Sequence, residues 1–446
     1  MQFGWLMTHI AVAAGVLAGW LNPIFGLMIY YAFSILRPSD LWFWNEWPIK
    51  RLSYYVALST LLGWLVNGFG RSEGLKGIGL PVFGLVLYLL AGVIAWRLTD
   101  VSEVRAWNAL TIQLKIGLMA LVTLTLIRDQ KSIFTFAYVL TGALGYLGWV
   151  FNSQYYFDGW NRIWPNGFGG VDNNGVAMIM VMGVPLSFFI AINSGSKIVK
   201  GMCFFSAAMM VHVVLLSFSR GGQLGLVMVG MAIFTVALIK LPRKHITISM
   251  AIVMVMFTLH YAGPEVRDRF WSIFVDPEAR DASAQSRLLT WKAAWQCIKD
   301  NPLGVGPRNF NLIASQYGLL GQKSIHNLFL QTGADYGIMG MIGLTIFYLS
   351  TMYKTFVMTT SRVAKRLEWP RYFGHMVCIS LAGFLVCSIF VGMESVETSY
   401  VIALIGLCTV SYVTRHGELL PKDERIPEFA EVPAPGDFED HPIPVA

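Results

Sequence analysis

Apolar runs of nearly constant length, broken by short polar segments, repeat along most of the chain. A helix that crosses a bilayer needs about 20 mainly apolar residues. Runs of that kind are Phe3–Leu21, Leu52–Phe69, Ile78–Trp96, Ala109–Ile127, Ser132–Phe151, Gly175–Asn193, Ile198–Phe218, Gly221–Ile239, Ile246–Ala262, Ala334–Tyr353, Tyr372–Met393 and Val396–Val413. Ile24–Leu36 is apolar as well, but short for a full crossing. The pattern predicts an all-α polytopic membrane protein with 12 or 13 spans, the difference lying in the first 36 residues.

The longest polar interval, Gly263–Ile325, has its own helical signal. Leu288, Trp291, Trp295 and Ile298 recur at helical spacing and predict a helix over Ser286–Lys299 with one apolar stripe. Asp300-Asn301-Pro302 ends it, Gly304, Gly306 and Pro307 make a tight turn, and Asn309–Tyr317 suits a second short helix. The chain therefore divides into N-terminal spans (1–151), a loop (152–174), spans enclosing a Ser-Arg-Gly turn (175–262), a cap loop (263–325), C-terminal spans (326–414) and a tail (415–446). No internal repeat is visible.

Composition agrees: 55% of residues are hydrophobic and 13% charged, too few charges for a soluble surface. The net charge of +7 is spread through short loops, not gathered in a patch, so nucleic acid is not an expected partner. Phe3–Leu21 lacks a basic leader and a small-residue cleavage site, and is expected to be retained. Four of five cysteines lie within spans, which leaves no disulfide framework.

Loop charge sets an orientation. The alternate loops around Arg71, Arg128, Lys197, Lys240 and Arg362 hold fourteen Lys and Arg, and the opposite short loops hold seven. The richer set is expected on the cytoplasmic side. The cap loop, residues 152–174 and the Arg220 turn would then lie outside, in the periplasm if the cell is Gram-negative. The Pro-rich acidic tail from Arg415 would be cytoplasmic and disordered.

Candidate chemistry collects on that outer side. Arg220, in Ser219-Arg220-Gly221-Gly222, sits where one span ends and the next begins. Its planar fork suits a phosphate and the glycines admit a bulky headgroup, although an Arg snorkelling to the interface has equal claim. Arg287, at the expected start of the cap helix, reads by itself as a solvated residue. His326 stands where cap meets membrane; it is either a packed His or a general base matched to neutral pH. Asp172 is a good N-cap for the span at Gly175, with Asn174 a weaker binding candidate. The aromatic, Gly-rich stretch Trp160–Gly170 suits either lipid headgroups or sugar rings. No P-loop, dinucleotide fingerprint or metal motif occurs, so neither a cofactor nor a metal is expected.

In their order, Ser219-Arg220-Gly221, Ser286-Arg287 through Trp295, Asn301-Pro302-Leu303-Gly304-Val305-Gly306-Pro307-Arg308-Asn309-Phe310, His326-Asn327 and Gly337-Ile338-Met339-Gly340 resemble the O-antigen ligase and O-antigen polymerase superfamily. Leu36-Arg37-Pro38 and the length are similar to the exosortase-associated O-glycosylation ligase branch, but His326-Asn327 stands where that branch has His-Ser. The resemblance implies an undecaprenyl-diphosphate-linked glycan donor, no nucleotide and no catalytic metal. It implies Arg220 and Arg287 on the diphosphate, His326 as general base and an inverting displacement. Asn327, Asn174 and Arg308 are further substrate-binding candidates. The acceptor would be a glycolipid or glycoprotein hydroxyl for a ligase, or another lipid-linked repeat for a polymerase. A transporter without chemistry is the third class, disfavoured because no acidic residue lies at mid-depth in a span.

Overall fold

The computed structural model describes residues 2–44, 52–240, 248–249, 252, 256, 277–321, 323–392 and 396–419. Among them the regular structure is helical, and nine helices are long and apolar enough to cross a membrane. The chain is an all-α polytopic membrane protein. Most of the expected span Ile246–Ala262, residues 263–276 of the expected cap loop and the tail from residue 420 lie outside the described residues.

Two helices occupy the N-terminus, α1 (Gln2–Gly19) and α2 (Pro23–Leu36), with Asn22 capping α2 at Phe25 N and Pro23 at its first position. At 14 residues α2 is about 21 Å long, short of the roughly 30 Å hydrocarbon core. It packs between α1 and α3 (Leu52–Val66), and α1 and α3 themselves meet through small residues: a Cβ on Gly63 would stand 2.5 Å from the Gly19 carbonyl.

The main bundle follows: α4 (Gly79–Arg97), α5 (Glu103–Leu126), α6 (Gln130–Phe157), α7 (Asn173–Asn193), α8 (Lys197–Leu216), α9 (Arg220–Lys240), then the cap helix α10 (Pro277–Asp300), then α11 (Leu328–Met358), α12 (Trp369–Ser388) and α13 (Glu397–Leu419). Side chains of Ser102, Asp129, Asp172, Ser196 and Asn327 cap α5, α6, α7, α8 and α11, satisfying amides that lipid surroundings would leave bare. Burial identifies the centre: 83% of the apolar stretch of α7 and 89% of that of α13 are enclosed by protein, against 28% for α9 at the rim. α4 and α11 touch backbone to backbone at Gly84 and Gly343, beside the stacked rings of Tyr88 and Tyr336, 4.9 Å apart.

α11 is broken. Gly337 has φ 75° and ψ −179°, which interrupts the helical ladder. The cap loop fills the gap: Val305 N donates to Ala334 O at 3.0 Å, Gly306 N to Asp335 O at 3.0 Å, and Ile338 N to Pro302 O at 2.9 Å. Gly304 (φ 87°) and Gly337 face each other so closely that a Cβ on Gly304 would lie 2.5 Å from Gly337 N. The two glycine motifs seen in sequence thus form one joint.

The cap has its own core, in which Ala293, Ala294, Cys297 and Ile298 of α10 meet Val305, Phe310, Ile313, Ala314, Leu319 and Ile325. Three expectations need correction. The apolar stripe holds only at Trp291 and Ile298, which pack into this core. Leu288 and Trp295 are 54% and 48% exposed, because small residues let α10 approach the loop more closely than Leu and Trp would. Arg287 lies ten residues inside α10, since residues 277–286, though without apolar periodicity, are rich in helix formers behind Pro277. And Arg415 belongs to α13, where its Nη2 donates to Arg128 O at 2.6 Å. α10 does end at Asp300, and Phe310–Ile313 followed by the 3₁₀ turn Ala314–Tyr317 forms the second short helix.

Candidate functional site

Four helix ends meet under the cap. α9 begins at Arg220, behind a turn in which Phe218 adopts φ 54°, Ser219 N donates to Ser217 Oγ (3.1 Å) and Ser219 Oγ accepts from Gly222 N (3.1 Å). α7 begins behind Asp172, whose Oδ1 accepts from Gly175 N at 2.8 Å and whose Oδ2 accepts from Asn174 Nδ2 at 3.2 Å. Asn173 Nδ2 donates to Ser217 O at 2.8 Å and so ties the start of α7 to the Arg220 turn. α11 begins behind Asn327, and α12 ends at Ser388, shortly before Phe390.

The segment after α12 forms the floor. The Phe390 ring underlies the Arg287 guanidinium, 5.5 Å from Cζ to centroid, and its Cβ would stand 3.0 Å from a Cβ on Gly221. Further along, a Cβ on Gly392 would be 3.5 Å from the backbone nitrogens of both His326 and Asn327. A Cβ at 221 would crowd Phe390, whereas one at 392 would make ordinary contact.

Electrostatics join the same residues. Burial lowers the Arg287 pKa, and the like charge of Arg220 lowers it further. His326, open to solvent on one side, also has a lowered pKa: desolvation by the protein around it is the main cause, Arg287 adds to it, and Asp172 opposes it. Arg220, Arg287, His326 and Asp172 therefore share one electrostatic field, although Asp172 and His326 are far apart in sequence. A His with a lowered pKa is neutral at pH 7, the state in which its ring nitrogen accepts a proton. Its φ of 50° is uncommon outside glycine, although His adopts it more readily than most, and marks a backbone held by its surroundings.

The remaining candidates divide. Asn327 uses Oδ1 to cap α11 at Leu330 N (3.0 Å), and Asn174 holds Asp172, so both support the site through its acid and its helix starts. Arg308, exposed at φ 60°, lies on a loop that packs elsewhere, since neighbouring Asn309 Nδ2 donates to Thr99 Oγ1 and Ser102 O ahead of α5. Residues not singled out from sequence are Phe390, a ring among many in apolar runs, and the buried pair Gln331 and Asp335 on α11. From sequence, the capping role of Asp172 is enough to account for its charge. A cavity begins one residue from Asp172, at Val171, and is lined among others by Arg37, Phe168, Val176 and Glu397.

The balance at His326 gives a pH prediction. Asn caps helices as well as Asp does, so Asp172→Asn keeps α7 intact while removing the charge that raises the His326 pKa. If His326 must be neutral to act, the acidic limb of the pH–rate profile moves to lower pH in Asp172→Asn, with the plateau beginning at lower pH. A limb that stays in place disconnects Asp172 from His326.

Residues 205–345 match the family described as O-Antigen ligase. The matched stretch contains Arg220, Arg287, Arg308, His326, Asn327 and the Gly337 break, and leaves out Asp172 and Phe390. No curated protein matches the chain.

Proposed function

We propose, from the match of residues 205–345 to the O-antigen ligase family, that this chain is a membrane glycosyltransferase that moves a glycan from an undecaprenyl-diphosphate carrier to an acceptor hydroxyl on the periplasmic side of the inner membrane. The observation that carries the reading is the pairing of two arginines with one neutral-leaning histidine. Arg220 and Arg287 raise each other's electrostatic energy, and burial adds to the cost; a polyanion between them reverses both effects. The start of α9 adds backbone amides and the positive end of a 21-residue helix at the same place. The loop charge bias supports the periplasmic side.

In this mechanism the diphosphate lies between the two guanidiniums with the anomeric carbon turned towards His326. The imidazole takes the acceptor O–H proton as the oxygen attacks that carbon. The bond to the diphosphate oxygen breaks, configuration inverts, and Arg220 and Arg287 stabilise the charge that develops on the leaving group. The protonated imidazole then returns its proton to solvent, to which His326 is open.

The test is a deletion strain analysed for surface and lipid-linked glycans. A ligase leaves full-length chains on the lipid carrier and none on the acceptor. Single-repeat products would assign the same active site to a polymerase. Unchanged surface glycans, with no lipid-linked material accumulating, would refute glycan transfer altogether.

A further inference from the structure

The hydrogen bonds that end one residue before His326 form a directed chain. Ile325 N donates to Gln331 Oε1 at 3.3 Å, Gln331 Nε2 donates to Asp335 Oδ2 at 2.6 Å, and Phe310 N, from the cap, donates to Asp335 Oδ1 at 2.9 Å. Gln331 is 5% exposed and Asp335 0%. Trp291 Nε1 of α10 donates to Ile325 O at 3.2 Å, so both backbone groups of Ile325 are held, one by the cap helix and one by α11. The next residue is His326, in its left-handed conformation. A residue held there takes its direction from its neighbours more than from its own preference.

The chemistry of each link is constrained. Asp335 receives N–H groups at both oxygens, which a carboxylate does and an amide does not. Gln331 must accept at one end and donate at the other, which an amide does and a carboxylate does not. In a buried place a mismatched link costs more than a missing one. The pair thus joins three parts of the fold: the cap loop at Phe310, the first turns of α11, and the strained segment that carries His326.

We propose that Asp335 and Gln331 are positioning residues for glycan transfer, holding Ile325–Asn327 so that His326 is presented to the acceptor beside Arg287. This rests on the proposed role of His326. Neither residue touches the ligand; they act through the backbone.

The two side chains can be exchanged as a test. Asp335→Asn sets an N–H of the new amide against a donor, from Gln331 or from Phe310. Gln331→Glu sets two buried carboxylates against each other. In the double variant the new amide at position 335 accepts from Phe310 N and donates to the new carboxylate at position 331. That carboxylate accepts from Ile325 N, so every link is restored with the charge moved by one side chain. Turnover is read as consumption of undecaprenyl-diphosphate-linked glycan, extracted from the source strain, in proteoliposomes that contain the same strain's envelope lipids. Hydrogen exchange at the Ile325 amide is read in parallel. Each single variant is expected to lower kcat about 10- to 100-fold, the scale of a displacement near 1 Å, with KM for the donor unchanged and Ile325 protection lost. The double variant is expected to recover both kcat and protection. Wild-type kcat in either single variant overturns the proposal, and so does a double variant that recovers protection without turnover. Failure of the functional reading itself shows elsewhere, as normal turnover in a His326 variant, with the exchange results unaffected.

Discussion

His326→Asn abolishes detectable transfer while the purified protein still binds the lipid-linked donor. Asn is the informative replacement because it tolerates the left-handed backbone at φ 50° better than most residues, so the fold before α11 is preserved. It has no nitrogen able to take a proton near neutral pH. General base catalysis contributes roughly 10²- to 10⁴-fold, about 3 to 5 kcal/mol of barrier. Loss of that size removes activity from a cell-based assay and leaves a residual rate for single-turnover kinetics. His326→Ala gives the same result with a further stability penalty from a left-handed Ala. Near-normal turnover of the Asn variant would make His326 a structural element of the cap joint. Loss of donor binding would instead move it from acceptor activation to donor recognition.

Arg220→Lys is the second large effect. The charge stays, and the cap at Ser219 and the start of α9 do not involve the guanidinium, so expression and insertion are unaffected. What disappears is the planar fork that the proposed role sets against two phosphate oxygens at once. One charge-assisted hydrogen bond is worth about 1.5 to 3 kcal/mol, so transfer falls by roughly 10- to 150-fold. In the proposed mechanism the leaving group gains charge as the reaction proceeds, so most of the loss falls on kcat. Titration of purified protein with the donor, beside initial-rate kinetics, separates the two parameters. A Lys variant with wild-type kinetics would reduce Arg220 to an interfacial anchor.

Sequence made the spans legible because lipid imposes a length and a composition that no neighbouring residue can override, and α4 to α9 follow that rule. The Arg220, Arg287 and His326 set was legible as an ordered series of short motifs. Their convergence was not, since it depends on how the ends of α7, α9, α11 and α12 meet. Arg287 was misplaced to a helix start because periodicity begins only at Leu288, whereas the helix is set earlier by Pro277 and a run of good helix formers. The cap stripe was legible in part: spacing identifies the helix and the inward side of Trp291 and Ile298. The Ala293, Ala294 and Cys297 surface beside them is chosen by how closely the partner approaches. Gln331 and Asp335 were invisible because their meaning lies in donor and acceptor direction across three segments.

The joint between the cap loop and the break in α11 also bears on how the protein is made. Residues 302–306 are synthesised before Gly337, so the loop waits for the helix it completes. Until the two meet, α11 carries carbonyls at Ala334 and Asp335 and an amide at Ile338 whose partners belong to another part of the chain. Each such group left unmet in an apolar medium costs several kcal/mol. Insertion of α11 and closure of the cap are therefore expected to be coupled. A cap excised as a soluble fragment would lack the helix that receives its Val305 and Gly306 amides, and a bundle without its cap would enter the membrane with an open seam.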